Sequence, residues 1–70
     1  MVKIRQERIK RNWSRKSVAE KLGITITAYS YIETLKRRPS YEILVKLENI
    51  FNLSHRELFT QLPNNDILTQ

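Results

Sequence analysis

The chain reads as an all-α domain of five short helices, and three observations predict it. Apolar residues recur at spacings of three and four, most clearly in Ile43, Leu44, Leu47, Ile50 and Phe51. Hydroxyl residues suited to helix capping stand ahead of four such stretches, at Ser14, Thr25, Ser40 and Ser54. Strand-like alternation, internal repeats and low-complexity segments are all missing from the 70 residues.

The first helix is predicted from about residue 2 to 11, ending at Asn12, a residue that tolerates the left-handed conformation used to stop a helix. A second runs from Arg15 to Leu22 behind Ser14, and a third from Ile26 to Thr34 behind Thr25. Pro39 breaks the helical path, and Ser40 then caps a fourth helix whose apolar residues should form much of the core. Ser54 and Glu57 read as a capping box for a short fifth helix carrying Leu58 and Phe59. Beyond Phe59, Pro63-Asn64-Asn65-Asp66 reads as a turn followed by a loose end. Trp13, between a helix stop and a cap, is expected to plug the core or staple the second helix.

Helices two and three meet at Gly23, the only glycine in the chain. Val18, Ala19 and Leu22 stripe one helix, and Tyr29 and Ile32 continue the stripe on the other. Ala19 allows close approach where the helices cross, and Gly23 supplies the freedom for a sharp turn, so the unit reads as a helix-turn-helix. With Tyr29, Ile32 and Glu33 turned inward, the outward face of the third helix is Ile26, Thr27, Ser30, Tyr31 and Thr34. That face is uncharged in a chain that is 29% charged. Arg15 and Lys16 open the preceding helix and Lys36, Arg37 and Arg38 follow the third, framing the neutral face with cations. Hydroxyls and methyls facing base edges, with cations facing phosphates, suit a helix laid in a DNA major groove.

The charge distribution points the same way. The net charge is +6, yet residues 1 to 38 hold eleven bases and three acids, giving +8, while residues 39 to 70 hold two bases and four acids, giving −2. A cationic working half is thereby set apart from a half able to meet solvent or a second subunit. Neither a membrane span nor an export signal is read in the chain, and the apolar residues Val2, Ile4 and Ile9 are too few for a surface anchor. The chain has no cysteine and one histidine, His55, so no metal, cofactor or catalytic constellation is expected. His55 is expected at the surface.

The Ala19 to Gly23 spacing, Ile32-Glu33, Lys36-Arg37-Arg38-Pro39-Ser40 and Glu57-Leu58-Phe59 together resemble the Cro and lambda-repressor (XRE) family. The resemblance covers about residues 4 to 59 and implies a five-helix lambda-repressor-like domain with its helix-turn-helix at helices two and three. It implies that Arg15, Ile26, Thr27 and Tyr31 read DNA, and that Arg8 in the first helix joins Glu33 at the end of the third. Two departures stand out. Arg15 replaces the family's usual glutamine, offering a stronger phosphate clamp or a bidentate grip on guanine. Thr34-Leu35 replaces the usual Asn-Gly, so the turn lacks glycine's freedom.

The expected function is that of a sequence-specific transcriptional regulator, a repressor that binds a palindromic operator in double-stranded DNA as a homodimer in the cytoplasm. Expected DNA contacts are Arg15, Lys16, Thr25, Ile26, Thr27, Ser30, Tyr31, Thr34, Lys36, Arg37 and Arg38. Residues 1 to 60 would form the DNA-binding domain, and the tail 61 to 70 would share in the dimer interface. That interface is sought at Asn52, Leu53, His55, Arg56, Leu62, Ile67 and Leu68. A rival expectation is a protein-binding module such as an antitoxin, whose DNA binding is autoregulatory and whose partner covers the second half. An enzyme is disfavoured because nucleophile, base and metal ligands do not converge.

Overall fold

Four side-chain hydroxyls punctuate the chain. Ser14, Thr25, Ser40 and Ser54 accept from the backbone N–H of Ser17, Ala28, Ile43 and Glu57 at 3.0, 3.1, 3.3 and 3.2 Å, each satisfying a donor that a helix start leaves open. The computed structural model describes residues 2 to 61, which form α1 (Lys3–Lys10), α2 (Arg15–Leu22), α3 (Ile26–Glu33), α4 (Tyr41–Phe51) and α5 (His55–Leu58). The turn at 63 to 66 and the interface candidates Leu62, Ile67 and Leu68 lie outside the described residues.

Helix ends obey the same local chemistry. Gly23 closes α2 at φ 74°, and a Cβ built there would meet nothing, so what requires glycine is backbone conformation and not space. Asn12 and Asn52 take φ of 59° and 56° after α1 and α4, the left-handed role asparagine tolerates best among side-chain-bearing residues. At α5 the capping box is only half built as predicted. Glu57 faces Lys3 Nζ at 3.6 Å, and Glu48 of α4 accepts from His55 N–H at 2.7 Å.

Among the described residues, ten make the core: Val2, Ile4, Val18, Ala19, Leu22, Tyr29, Ile32, Leu47, Phe51 and Leu58. The prediction that α4 supplies much of the core needs correction. Only Leu47 and Phe51 of that helix are buried, Ile43 and Ile50 pack partly against them, and α2 contributes three residues. Trp13 leans on Phe51 with ring centroids 5.4 Å apart, and Lys21 Nζ sits 4.0 Å from the Trp13 ring centroid. α2 packs on α3 and α4, while α1 packs on α5. Thr60 and Gln61, which precede the predicted turn, are pinned to the start of α1. Lys3 N–H donates to Thr60 O at 2.9 Å, and Val2 bridges Gln61 in antiparallel fashion.

Candidate nucleic-acid interface

The position of α3 is set by a carboxylate buried beneath it. Glu33 is 1% exposed, an expensive place for a charge unless it is paired and hydrogen-bonded. Arg8 of α1 donates through Nε to Oε2 at 2.8 Å and through Nη2 to Oε1 at 3.1 Å, the fork geometry that makes arginine a strong partner for a carboxylate. Its third nitrogen, Nη1, donates to Trp13 O at 2.8 Å, so one side chain joins α1, the loop before α2 and the end of α3. Burial would raise the Glu33 pKa, but the bonds from Arg8, the Tyr29 hydroxyl nearby and the charges of Arg8 and Arg15 together outweigh it, and the carboxyl sits below its ordinary value.

Arg15 is where the sequence reading needs revision. Its Nε donates to Glu33 Oε1 at 3.1 Å, and Nη1 lies 3.5 Å from Ser30 Oγ. Part of the guanidinium expected to grip DNA therefore belongs to the protein's own packing. A carboxylate with no exposed side-chain surface draws in a second cation, and Arg15 keeps 38% exposure. Ser30 is correspondingly half-buried, so it stands at the edge of the outward face and not on it.

The remaining face is exposed and neutral. Ile26, Thr27, Tyr31 and Thr34 are all exposed, Ile26 at 47% and Tyr31 at 40%. Thr27, Tyr31 and Thr34 follow at steps of four and three and so share one face of the helix. Thr25 stands exposed at the N-terminal end of this helix.

Just past α3 the chain doubles back. Leu35 adopts φ 64°, in the turn where the resemblance leads one to expect glycine, and the N–H groups of Lys36 and Arg37 both donate to Tyr31 O, at 2.8 and 3.2 Å. This reversal places Lys36 Nζ and Arg37 Cζ 5.9 and 5.8 Å from the Tyr31 ring centroid. Arg38 follows, exposed, and Lys16 is exposed in the first turn of α2. Lys36 and Arg37 thus flank the neutral face at Tyr31, and Lys16 and Arg38 are exposed at the two ends of the helix-turn-helix segment in sequence, a pattern that suits phosphate contacts around a base-reading surface.

A second ion pair went unnoticed in sequence. Glu7 is 7% exposed and accepts from Arg11 Nη1 at 2.6 Å, while Arg11 Nη2 donates to Phe51 O at 3.0 Å. Glu followed by Arg four residues later on one helix was the available signal. Of the interface candidates in the second half, Asn52, His55 and Arg56 are exposed, whereas Leu53 packs partly against the core. His55 Nδ1 lies 2.8 Å from Glu48 Oε2. Among the described residues no group of His, Cys, Asp or Glu could hold a metal ion, and no helix is long and apolar enough to cross a membrane.

Comparison with known proteins agrees with this geometry. The helix-turn-helix family model of XRE type matches residues 4–58, and the chain belongs to that family of DNA-binding domains. It is similar to the HTH-type transcriptional regulator AnsR of Bacillus subtilis (strain 168), with 41% identity over 51 residues. That stretch is 73% of this chain and 44% of the relative, so the chain spans less than half the length of the regulator it matches. No solved structure matches it significantly.

Proposed function

We propose that this protein is a sequence-specific transcriptional regulator that lays α3 in the major groove of double-stranded DNA. The observation that carries the reading is the exposed, uncharged face of Ile26, Thr27, Tyr31 and Thr34, bordered by Lys16, Lys36, Arg37 and Arg38. A solvated helix would spend such positions on charged residues. In this role the cations hold phosphates, Tyr31 and Ile26 meet sugars or thymine methyls, and Thr27 meets base edges. Arg15, anchored on Glu33, supports α3 from beneath and offers the rest of its guanidinium to the backbone.

One recognition helix reads only a few base pairs, which favours a homodimer on a palindromic operator with half-sites roughly 34 Å apart. Asn52, His55 and Arg56 form the exposed part of the surface we assign to it. Repression then follows from occluding a promoter, in the cytoplasm, without chemistry. The resemblance to a named transcriptional regulator supports the regulatory part of this reading.

A second reading, a module that binds another protein, draws on one observation. Ile32, Leu35, Pro39, Leu44 and Phe59 line a largely apolar hollow together with Arg37, Arg38 and His55, a surface a partner could fill. Selection of duplexes from a random DNA pool separates the two. Enrichment of a palindrome, weakened by Thr27→Ala and Tyr31→Ala, establishes a dimeric sequence reader. Binding without enrichment, steeply dependent on salt, reduces the DNA claim to charge and gives the protein-partner reading first place.

A further inference from the structure

Arg5 brings a charge from a distant helix to the mount of α3. It is exposed in the first turn of α1, next to the buried Ile4. Its side chain lines a hollow with Val2, Glu33, Thr34, Leu35 and Gln61, so the bridge that clasps Val2 to Gln61 also sets Arg5 beside the C-terminal end of α3. Leu35 lines this hollow and also the apolar one that holds Arg37 and Arg38, so cations from α1 and from the turn after α3 converge on one residue.

No acid in the described residues neutralises Arg5. Lys3 faces Glu57, Arg8 closes on Glu33 and Arg11 on Glu7, whereas Arg5 has no ion pair among the described residues. The acid that lines the hollow is Glu33, and Arg8 and Arg15 already hold it with no side-chain surface left exposed. Two arginines on one carboxylate with a third beside them leave the end of α3 with an excess of positive charge. A backbone phosphate is the anion that the proposed complex brings there. A recognition helix meets base edges with its N-terminal residues, and its C-terminal end lies toward the sugar-phosphate wall of the groove. Arginine suits a phosphate because its fork presents two donors to one anion. We propose that Arg5 is a further DNA-binding residue, one that holds a backbone phosphate beside the end of α3 and reads no base. This assignment rests on the placement of α3 in the major groove proposed above.

Lys10 serves as the control, exposed and without an ion pair among the described residues but about 140° around α1 from Arg5. Affinity for the duplex that the wild type selects from a random pool is measured across salt concentrations for the wild type, Arg5→Ala, Arg5→Lys and Lys10→Ala. Arg5→Ala should make the slope of log affinity against log salt shallower by about 0.9 and weaken binding roughly fivefold at physiological salt, with the base preference unchanged. Arg5→Lys should restore most of the slope, and Lys10→Ala should keep the wild-type slope. Circular dichroism establishes that the variants fold. Neutral methylphosphonates placed singly along the duplex locate the contact, since the one that removes it should weaken the wild type and leave Arg5→Ala nearly unaffected. An unchanged slope in Arg5→Ala overturns the proposal, as does an equal change in Lys10→Ala, which marks general charge. So does the absence of any phosphate to which Arg5→Ala alone is insensitive. A wild type that selects no duplex removes the major-groove reading and this assignment together, before any variant is compared.

Discussion

Arg8 closes on Glu33 with two parallel bonds, 2.8 Å from Nε and 3.1 Å from Nη2, and so fastens the end of α3 to α1 across 25 residues of chain. Arg8→Ala leaves a buried carboxylate facing Arg15 alone. We expect a loss of about 3 kcal/mol, at the lower end for a broken buried pair because one cation remains. Urea denaturation measures it, and a loss below about 1 kcal/mol would show the pair to be an incidental contact.

The same carboxylate ties stability to pH. Glu33 has its pKa below the ordinary 4.5 in the folded protein, as does Glu7 through its hydrogen bond from Arg11. In that window the unfolded chain binds more protons than the folded one, so stability rises with pH. The contribution is complete above about pH 4.5 and is lost as pH falls through the depressed values. Thermal melts from pH 7 to pH 2 should therefore show an acid limb that flattens in Glu33→Gln. An equally steep limb in that variant would assign acid sensitivity to other carboxylates.

Leu35 carries a backbone conformation that side chains resist, with φ 64°. Its side chain also lines the apolar hollow, so a single substitution would mix two effects. Leu35→Ala and Leu35→Gly both remove the side chain, and only glycine relieves the backbone. The glycine variant should be the more stable of the two by about 1 kcal/mol by chemical denaturation. Equal stability would mean that the turn relaxes when the leucine is gone.

Tyr29 is fully buried, with its hydroxyl close enough to the Glu33 carboxylate to help lower that carboxyl's pKa, yet no hydrogen bond of good geometry joins the two. Burial raises the phenol pKa far above 10.0, so the group is neutral. An unsatisfied buried hydroxyl is a cost, and Tyr29→Phe should stabilise the protein by about 1 kcal/mol. A loss of similar size would show instead that the hydroxyl supports the neighbouring Glu33.

The cations after α3 should be visible in the salt dependence of DNA binding. Each of Lys36, Arg37 and Arg38 that contacts a phosphate contributes about −0.9 to the slope of log affinity against log salt. Single alanine variants are expected to make the slope shallower by that amount while leaving the preferred sequence unchanged. A slope that stays constant in all three would make them a solvated loop.

Much of this was legible in the sequence because the determinants are local. Ser14, Thr25, Ser40 and Ser54 mark helix starts by their own side-chain chemistry, and Gly23 marks a turn by its lack of one. The meeting of Arg8 and Glu33 was legible only through resemblance, since nothing local brings those positions together. What escaped depends on competition among distant groups. Arg15 is drawn inward because Glu33 needs more than one cation, a fact of burial that no local pattern records. Leu35 takes a glycine-like conformation because the N–H groups that follow must reach Tyr31 O. The bridge between Val2 and Gln61 joins opposite ends of the described chain and has no periodicity to betray it.

That bridge turns α1 into a shared hinge-pin. The helix is clasped at its start by Thr60 and Gln61 and reaches Glu33 from its far side through Arg8. Opening of the Val2–Gln61 bridge would loosen the mount of α3, although neither residue lies near that helix in sequence.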